Sequence, residues 1–147
     1  VAKDAVRDLV TNRRARFDYA LEDTFEAGIA LLGSEVKSLR AARGNLQDAF
    51  VRLDRRGAWL VGCHISPYPE ARDNHEPLRE RQLLLHAHEL SKLRKATAER
   101  GKTLVALRLY LRGPRIKLEL AVGKGKKLHD KRESIKERAH RRDMRRD

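Results

Sequence analysis

At 147 residues, 40% hydrophobic and 37% charged, the chain is sized for one hydrophobic core rather than two. A single cysteine, Cys63, excludes a disulfide framework and a Cys-based zinc site, and no apolar run approaches the roughly 18 residues of a membrane-spanning helix. A formal net charge of +13 directs attention to polyanions, nucleic acid first, although basic surfaces also attract anionic membranes and acidic proteins.

Residues 1–11 show little periodicity and are expected to form a flexible lead. Val1 to Leu9 carries four charges and none of the apolar segment of an export signal, so a soluble, cytoplasmic protein is expected. Arg16 to Leu21 reads as a strand, with Phe17, Tyr19 and Leu21 alternating against Arg16, Asp18 and Ala20. The alternation continues through Phe25, Ala27, Ile29 and Leu31, and Gly28 on the other face suggests a bulge or bend. After Gly33 the period lengthens. Ser34 is the expected N-cap of a short helix over Glu35 to Ala42, ended by Gly44.

Period two returns with Ala49, Val51 and Leu53, a turn at Asp54–Gly57, and a strand whose Trp59, Val61, Cys63 and Ile65 share one face. Pro69 to Pro77 is polar and proline-flanked, and is expected to be a surface loop. A helix is expected over Leu84 to Arg100, with Leu83, Ala87, Leu90, Leu93 or Arg94, and Thr97 on its apolar stripe and Gly101 as its stop. Leu83, Leu84 and Leu85 at its start cannot all point inward, because successive helical residues turn by about 100°. The last hairpin places Leu107, Leu109 and Leu111 on one face, turns at Arg112–Pro114, and returns with Ile116, Leu118, Leu120 and Val122 facing inward. Gly123 and Gly125 are expected to release the backbone. About six antiparallel strands with one short and one long helix imply a mainly β fold: a small barrel with accessory helices and a basic C-terminal tail.

Catalysis finds little support. Gly123–Lys127 (GKGKK) lacks the upstream glycine and the Ser or Thr of a phosphate-cradling loop. The six histidines are not spaced as metal ligands, and His86 and His88, two apart on the expected helix, are expected to diverge. Glu22 and Asp23 read as a turn or strand end. The chain is therefore expected to be no enzyme and to need neither metal nor cofactor. Basic and aromatic residues interleave better: Arg13, Arg14 and Arg16 precede Phe17 and Tyr19, a pattern with which small barrels bind single-stranded or looped RNA. An equal alternative leaves Phe17 in the core and the arginines on a wet face.

Residues 124–147 hold 11 Lys or Arg against 5 Asp or Glu, with almost nothing apolar. Leu128, Ile135, Ala139 and Met144 are too few to dock on a domain. This tail is expected to be disordered when free and to order on a polyanion, offset by charge neutralisation.

Five blocks carry a sharper signal: Asn12–Tyr19 (NRRARFDY), Thr24–Ile29 (TFEAGI), Gly33–Arg40 (GSEVKSLR), Arg81–His86 (RQLLLH), and Gly125–Arg132 (GKKLHDKR) followed by Ile135–Arg138 (IKER). In this order, over residues 12 to about 142, they resemble the SsrA-binding protein (small protein B) family of bacteria. The resemblance implies an oligonucleotide-binding (OB)-type barrel over residues 12–123 that binds the tRNA-like domain of transfer-messenger RNA (SsrA RNA). It implies delivery of that RNA, with elongation factor Tu and GTP, to stalled 70S ribosomes for trans-translation, by a monomer that touches no membrane. The RNA-facing residues it implies are Tyr19, Glu26, Leu84, Leu85 and His86, beside Arg13, Arg14, Arg16 and Phe17. Phe17 stands where the family often has histidine. A carboxylate such as Glu26 can accept from a base amino group or a 2′-hydroxyl, or hold a nearby arginine in place; the residues alone favour a plain strand-surface carboxylate there. The tail is implied to enter the decoding centre and the empty message channel as a helix. Lys124, Lys126, Lys127, His129, Asp130, Lys131, Arg132, Ile135, Lys136 and Arg138 would there lie against small-subunit ribosomal RNA. The competing classes are a basic barrel protein of the ribosome itself and an RNA-processing enzyme.

Overall fold

The computed structural model describes residues 5–125. The tail positions Lys126, Lys127, His129, Asp130, Lys131, Arg132, Ile135, Lys136 and Arg138 lie outside the described residues. In chain order the elements are β1 (Val6–Thr11), α1 (Ala15–Asp18), β2 (Tyr19–Ile29), α2 (Gly33–Arg40), β3 (Gly44–Asn45), β4 (Phe50–Asp54), β5 (Gly57–Val61), β6 (His64–Ile65), β7 (Arg81–Leu84), α3 (Ala87–Ala98), β8 (Lys102–Arg112) and β9 (Arg115–Gly125).

Every strand pairing is antiparallel. The main sheet runs β1-β8-β4-β5-β7-β2-β9, and β9 pairs back onto β8. Six strands, β8, β4, β5, β7, β2 and β9, thus form a closed ring, consistent with the expected OB-type barrel. Closure satisfies edge groups that an open sheet of this size would leave exposed. Inside sit Ala27, Leu39, Ala58, Leu60, Cys63, Ile65, Leu93, Leu109, Leu118 and Leu120, all without solvent exposure. Burial pushes the Cys63 thiol up to about 11, so it is a packed apolar group at neutral pH.

Several expectations are corrected. Most of the lead over residues 1–11 is a strand: β1 pairs with the outer half of β8 and buries Leu9 and Val10. A register shift between Asp8 and Val10 breaks its alternation, which hid it from a period-two reading. Arg16, Phe17 and Asp18 lie in a helical turn, and the strand starts only at Tyr19.

Helix α2 is capped differently as well. The Leu32 N–H donates to Glu35 Oε1 at 2.7 Å, while the Ser34 hydroxyl bonds His75 Nδ1 at 2.8 Å. On β5 the buried side chains are those of Ala58 and Leu60, not Trp59 and Val61. Gly62, at φ 78°, then switches the chain so that Cys63 and Ile65 face inward. The loop before Pro77 is surface for most of its length, but His75 is buried, its Nε2 lying 2.8 Å from the Ile65 carbonyl.

The expected helix over Leu84 to Arg100 is shorter. Arg81–Leu84 forms β7 between β5 and β2, so Arg81 and Leu83 face in while Gln82 and Leu84 face out. Sheet pairing outweighs the helix propensity of the leucines. On β8 the register shifts between Ala106 and Arg108. Leu109 and Leu111 join the main core, whereas Leu107 packs outside the barrel with Ala15, Val105 and Ala121. Nor do Gly123 and Gly125 release the backbone: β9 stays paired through Gly125.

The interior also holds an ion cluster that no periodicity in the chain encodes. Glu35 and Arg81 are both fully buried and joined by Arg81 Nε to Glu35 Oε2 at 2.6 Å. Arg81 Nη1 also donates to the Cys63 carbonyl at 2.6 Å, and Arg79 Nη2 donates to Glu35 Oε1 at 2.6 Å. This cluster ties α2 to β7 and to the turn after β5. Burial disfavours the Glu35 charge, but bonds from Arg79, the Leu32 N–H and Arg81 outweigh it and hold the carboxyl below its ordinary range.

Candidate nucleic-acid interface

Strand β2 is the spine of the candidate surface. Its outward residues divide the expected contacts into two groups at opposite ends. At the start, Arg13 and Arg14 are exposed in the turn before α1, Arg16 is exposed on it, and Phe17 is 56% exposed. The choice between a core and a surface Phe17 thus resolves to the surface. Tyr19 is half-buried over Gly123, where an added Cβ would lie 3.2 Å from Tyr19 Cβ and 2.8 Å from Val105 Cγ2. Only glycine allows the ring to lie that close to β9. Tyr19 pairs with Gly125 and Ala20 with Lys124, so this aromatic and basic group borders the last of the described residues. Exposed Lys124 is the one tail-site residue among those described. Beside the group, Asn12 donates through Nδ2 to the Ala106 carbonyl at 2.9 Å, while its buried Oδ1 has no partner among the described residues.

The second group lies nine residues along β2 from Tyr19, at Gly28, roughly 30 Å away at ~3.3 Å per residue. Gly28 pairs with Lys117 of β9 on one side and Leu84 of β7 on the other. A Cβ on Gly28 would sit 3.2 Å from Leu84 Cβ, so the glycine leaves Leu84 standing outward, 57% exposed. A groove of about 540 Å³ opens there, with Gly28, Leu84, His86, Arg56, Arg115 and Lys117 on its walls. Leu85 also borders the groove, but packs partly against the core. His86 caps α3, its N–H donating to Glu89 Oε1 at 3.1 Å. Being extended rather than helical, His86 does not diverge from His88; their rings stack at 5.6 Å and 7°. An apolar knob, an aromatic face and three cations beside one groove suit an unstacked base with its flanking phosphates.

Glu26 stands between the groups and is not a lone carboxylate. Its Oε2 accepts from the Tyr110 hydroxyl and from Arg112 Nε, the latter at 2.9 Å. The Tyr110 bond, then the charge of Arg112, hold the Glu26 carboxyl below its ordinary range against the cost of burial. Burial and Glu26 together push the Tyr110 hydroxyl up to about 12. The guanidinium of Arg108 lies 4.3 Å from the Tyr110 ring centre and that of Arg112 5.8 Å. Arg108 is paired in turn with Asp8 at 2.5 Å and Glu119 at 3.2 Å.

Sequence reasoning missed Arg108, Tyr110, Arg112, Lys117 and Arg115. The available signal was parity: Arg108, Tyr110 and Arg112 alternate with inward Leu109 and Leu111, and Lys117 with Leu118. Among the described residues no three of His, Cys, Asp and Glu gather as a metal site.

Known proteins supply the context for this surface. The family model described as SmpB protein matches residues 9–147. The SsrA-binding protein of Thermosynechococcus vestitus is 48% identical over 145 residues, covering 97% of this chain and 95% of that one. The SsrA-binding protein of Roseiflexus sp. is 51% identical over 145 residues, covering 97% and 92%. Among solved structures, a chain from "tmRNA-SmpB: a journey to the center of the bacterial ribosome" matches with a TM-score of 0.72 and 39% identity. That match covers 88% of this chain and 95% of the other.

Proposed function

This chain belongs to the SmpB family, and from that membership we propose that it binds transfer-messenger RNA and serves trans-translation, bringing that RNA to stalled ribosomes. The observation that carries the reading is identity of about half across nearly the whole of both chains to SsrA-binding proteins. The likeness to a chain solved with transfer-messenger RNA in a ribosomal setting supports it. The barrel takes the tRNA-like domain on the outer face of β2, with Tyr19, Phe17 and the nearby arginines at one end and Leu84 and His86 at the other.

The basic tail from Lys124 onward meets small-subunit ribosomal RNA in the decoding centre and the vacant message channel. Elongation factor Tu with GTP accompanies the complex, and the protein acts as a cytoplasmic monomer that supplies shape and charge and catalyses no step. Its net charge of +13 favours the partner electrostatically, so affinity falls as salt rises.

Binding of the full chain to transfer-messenger RNA, with ordinary tRNA as competitor, tests the first part. Selective binding is expected; equal affinity for both RNAs would refute it. Alanine at Lys126, Lys127, Lys131 and Arg132 should abolish tagging on stalled ribosomes and leave RNA affinity within about threefold of the parent. A loss of RNA affinity equal to that from Tyr19→Ala would refute the division of labour between barrel and tail.

A further inference from the structure

A carboxylate on the phosphate-facing side of a protein charged +13 opposes binding unless its charge is used locally. Glu26 is used locally: both of its bonds, from the Tyr110 hydroxyl and from Arg112 Nε, converge on Oε2. Tyr110 is 1% exposed, so the Glu26 carboxylate is anchored from below by a buried hydroxyl. Arg112 is held through Nε and by the face of the Tyr110 ring, yet its side chain remains 38% exposed. It sits at the tip of the β8–β9 hairpin in register with Arg115, while Lys117 acts on the same carboxylate. The neighbouring Arg108 differs: Asp8 and Glu119 both pair with it. Of the two arginines on the Tyr110 ring, Arg112 is the more exposed, 38% against 27%, and pairs with one carboxylate where Arg108 pairs with two.

We propose that Glu26 is a positioning residue and that Arg112, which it orients against Tyr110, is the group that meets an RNA phosphate on this face. This rests on the RNA-binding reading above. An arginine loses much side-chain freedom on binding a phosphate, and one already clamped through Nε loses less, with its terminal nitrogens left as the edge for a bidentate contact.

The test is a double-mutant cycle on the full chain, reading transfer-messenger RNA affinity across a salt titration. Arg112→Ala should weaken binding ~10-fold, the scale of one charge-assisted hydrogen bond. Glu26→Ala should weaken it comparably, and within the Arg112→Ala background should cost less than about twofold more. Each single change should also lower the salt slope by about one phosphate. Glu26→Gln, which removes negative charge while keeping size, should weaken binding too, whereas charge summation alone predicts tighter binding.

Losses that multiply in the double variant, or a Glu26→Ala variant with the parental salt slope, would make Glu26 a direct RNA contact and overturn the proposal. Parental affinity in Arg112→Ala would overturn it equally. If the parent chain itself fails to prefer transfer-messenger RNA over tRNA, the functional reading falls and takes this inference with it. Selective parental binding with independent losses defeats only the inference. Unchanged thermal melting of the variants keeps folding out of the comparison.

Discussion

Replacing Glu35 with Gln should be among the most damaging conservative changes in the barrel. The carboxylate receives Arg81 Nε on Oε2 and both Arg79 Nη2 and the Leu32 N–H on Oε1. An amide keeps one acceptor and turns an NH2 toward a donor at the other, so one arginine is left facing a like group. Arg81 has no solvent exposure, and its remaining partners, the backbone carbonyls of Cys63, Glu76 and Pro77, carry no full charge. Breaking a buried pair from one side costs about 3–5 kcal/mol. That is a large share of the 5–15 kcal/mol typical of a whole domain, and corresponds to a melting-temperature loss on the order of 10 °C.

Urea unfolding followed by circular dichroism measures it. The pH dependence supplies a second reading. The Glu35 carboxyl is depressed in the folded state, so its stabilisation is fully present above the unfolded value of about 4.3 and is lost as pH falls through the lower folded value. The parent should therefore lose stability in acid more steeply than Glu35→Gln, and the two curves should converge. A loss below about 1 kcal/mol at pH 7, or acid limbs that run parallel, would refute the claim that this ion cluster is held by charge.

Two further changes separate folding from binding. Gly62→Ala places a Cβ at a φ of 78° and 2.7 Å from the Asp48 carbonyl oxygen, so it should destabilise by about 2 kcal/mol or more in the same unfolding assay. Leu84→Ala removes a side chain 57% exposed, so unfolding should shift by less than about 0.5 kcal/mol while RNA affinity falls several-fold in a filter or gel assay.

Local patterns were legible where the chain is regular. The last hairpin was readable because Leu118, Leu120 and Val122 keep strict alternation, and all three reach the core. The Asp54–Gly57 turn was readable because an Asp side chain closes such turns on following N–H groups, as Asp54 Oδ1 does on Arg56 and Gly57. Tyr19 was marked by the arginines before it, whereas Glu26 and Leu84 were named through family resemblance; alternation alone does not separate an RNA-facing carboxylate from any other outward one. Where a single residue resets the period, as at Asp8–Val10, Gly62 and Ala106–Arg108, inward and outward exchange, and a window of sequence cannot register it.

Composition, turn chemistry and distinctive blocks are local properties of the chain, so a basic, β-rich fold, the main hairpins and the family were all readable from the residues in order. That Glu35 lies beside Arg81, 46 positions away, and Glu26 beside Tyr110 and Arg112, 84 and 86 away, emerges when the chain has folded and not before. The β8–β9 pairing that closes the ring sets β2 and β8 on either side of β9, and with them Glu26, Tyr110 and Arg112. Hydrogen bonds and charge act over a few ångströms of space, and no spacing along a chain encodes which distant strands will share a face.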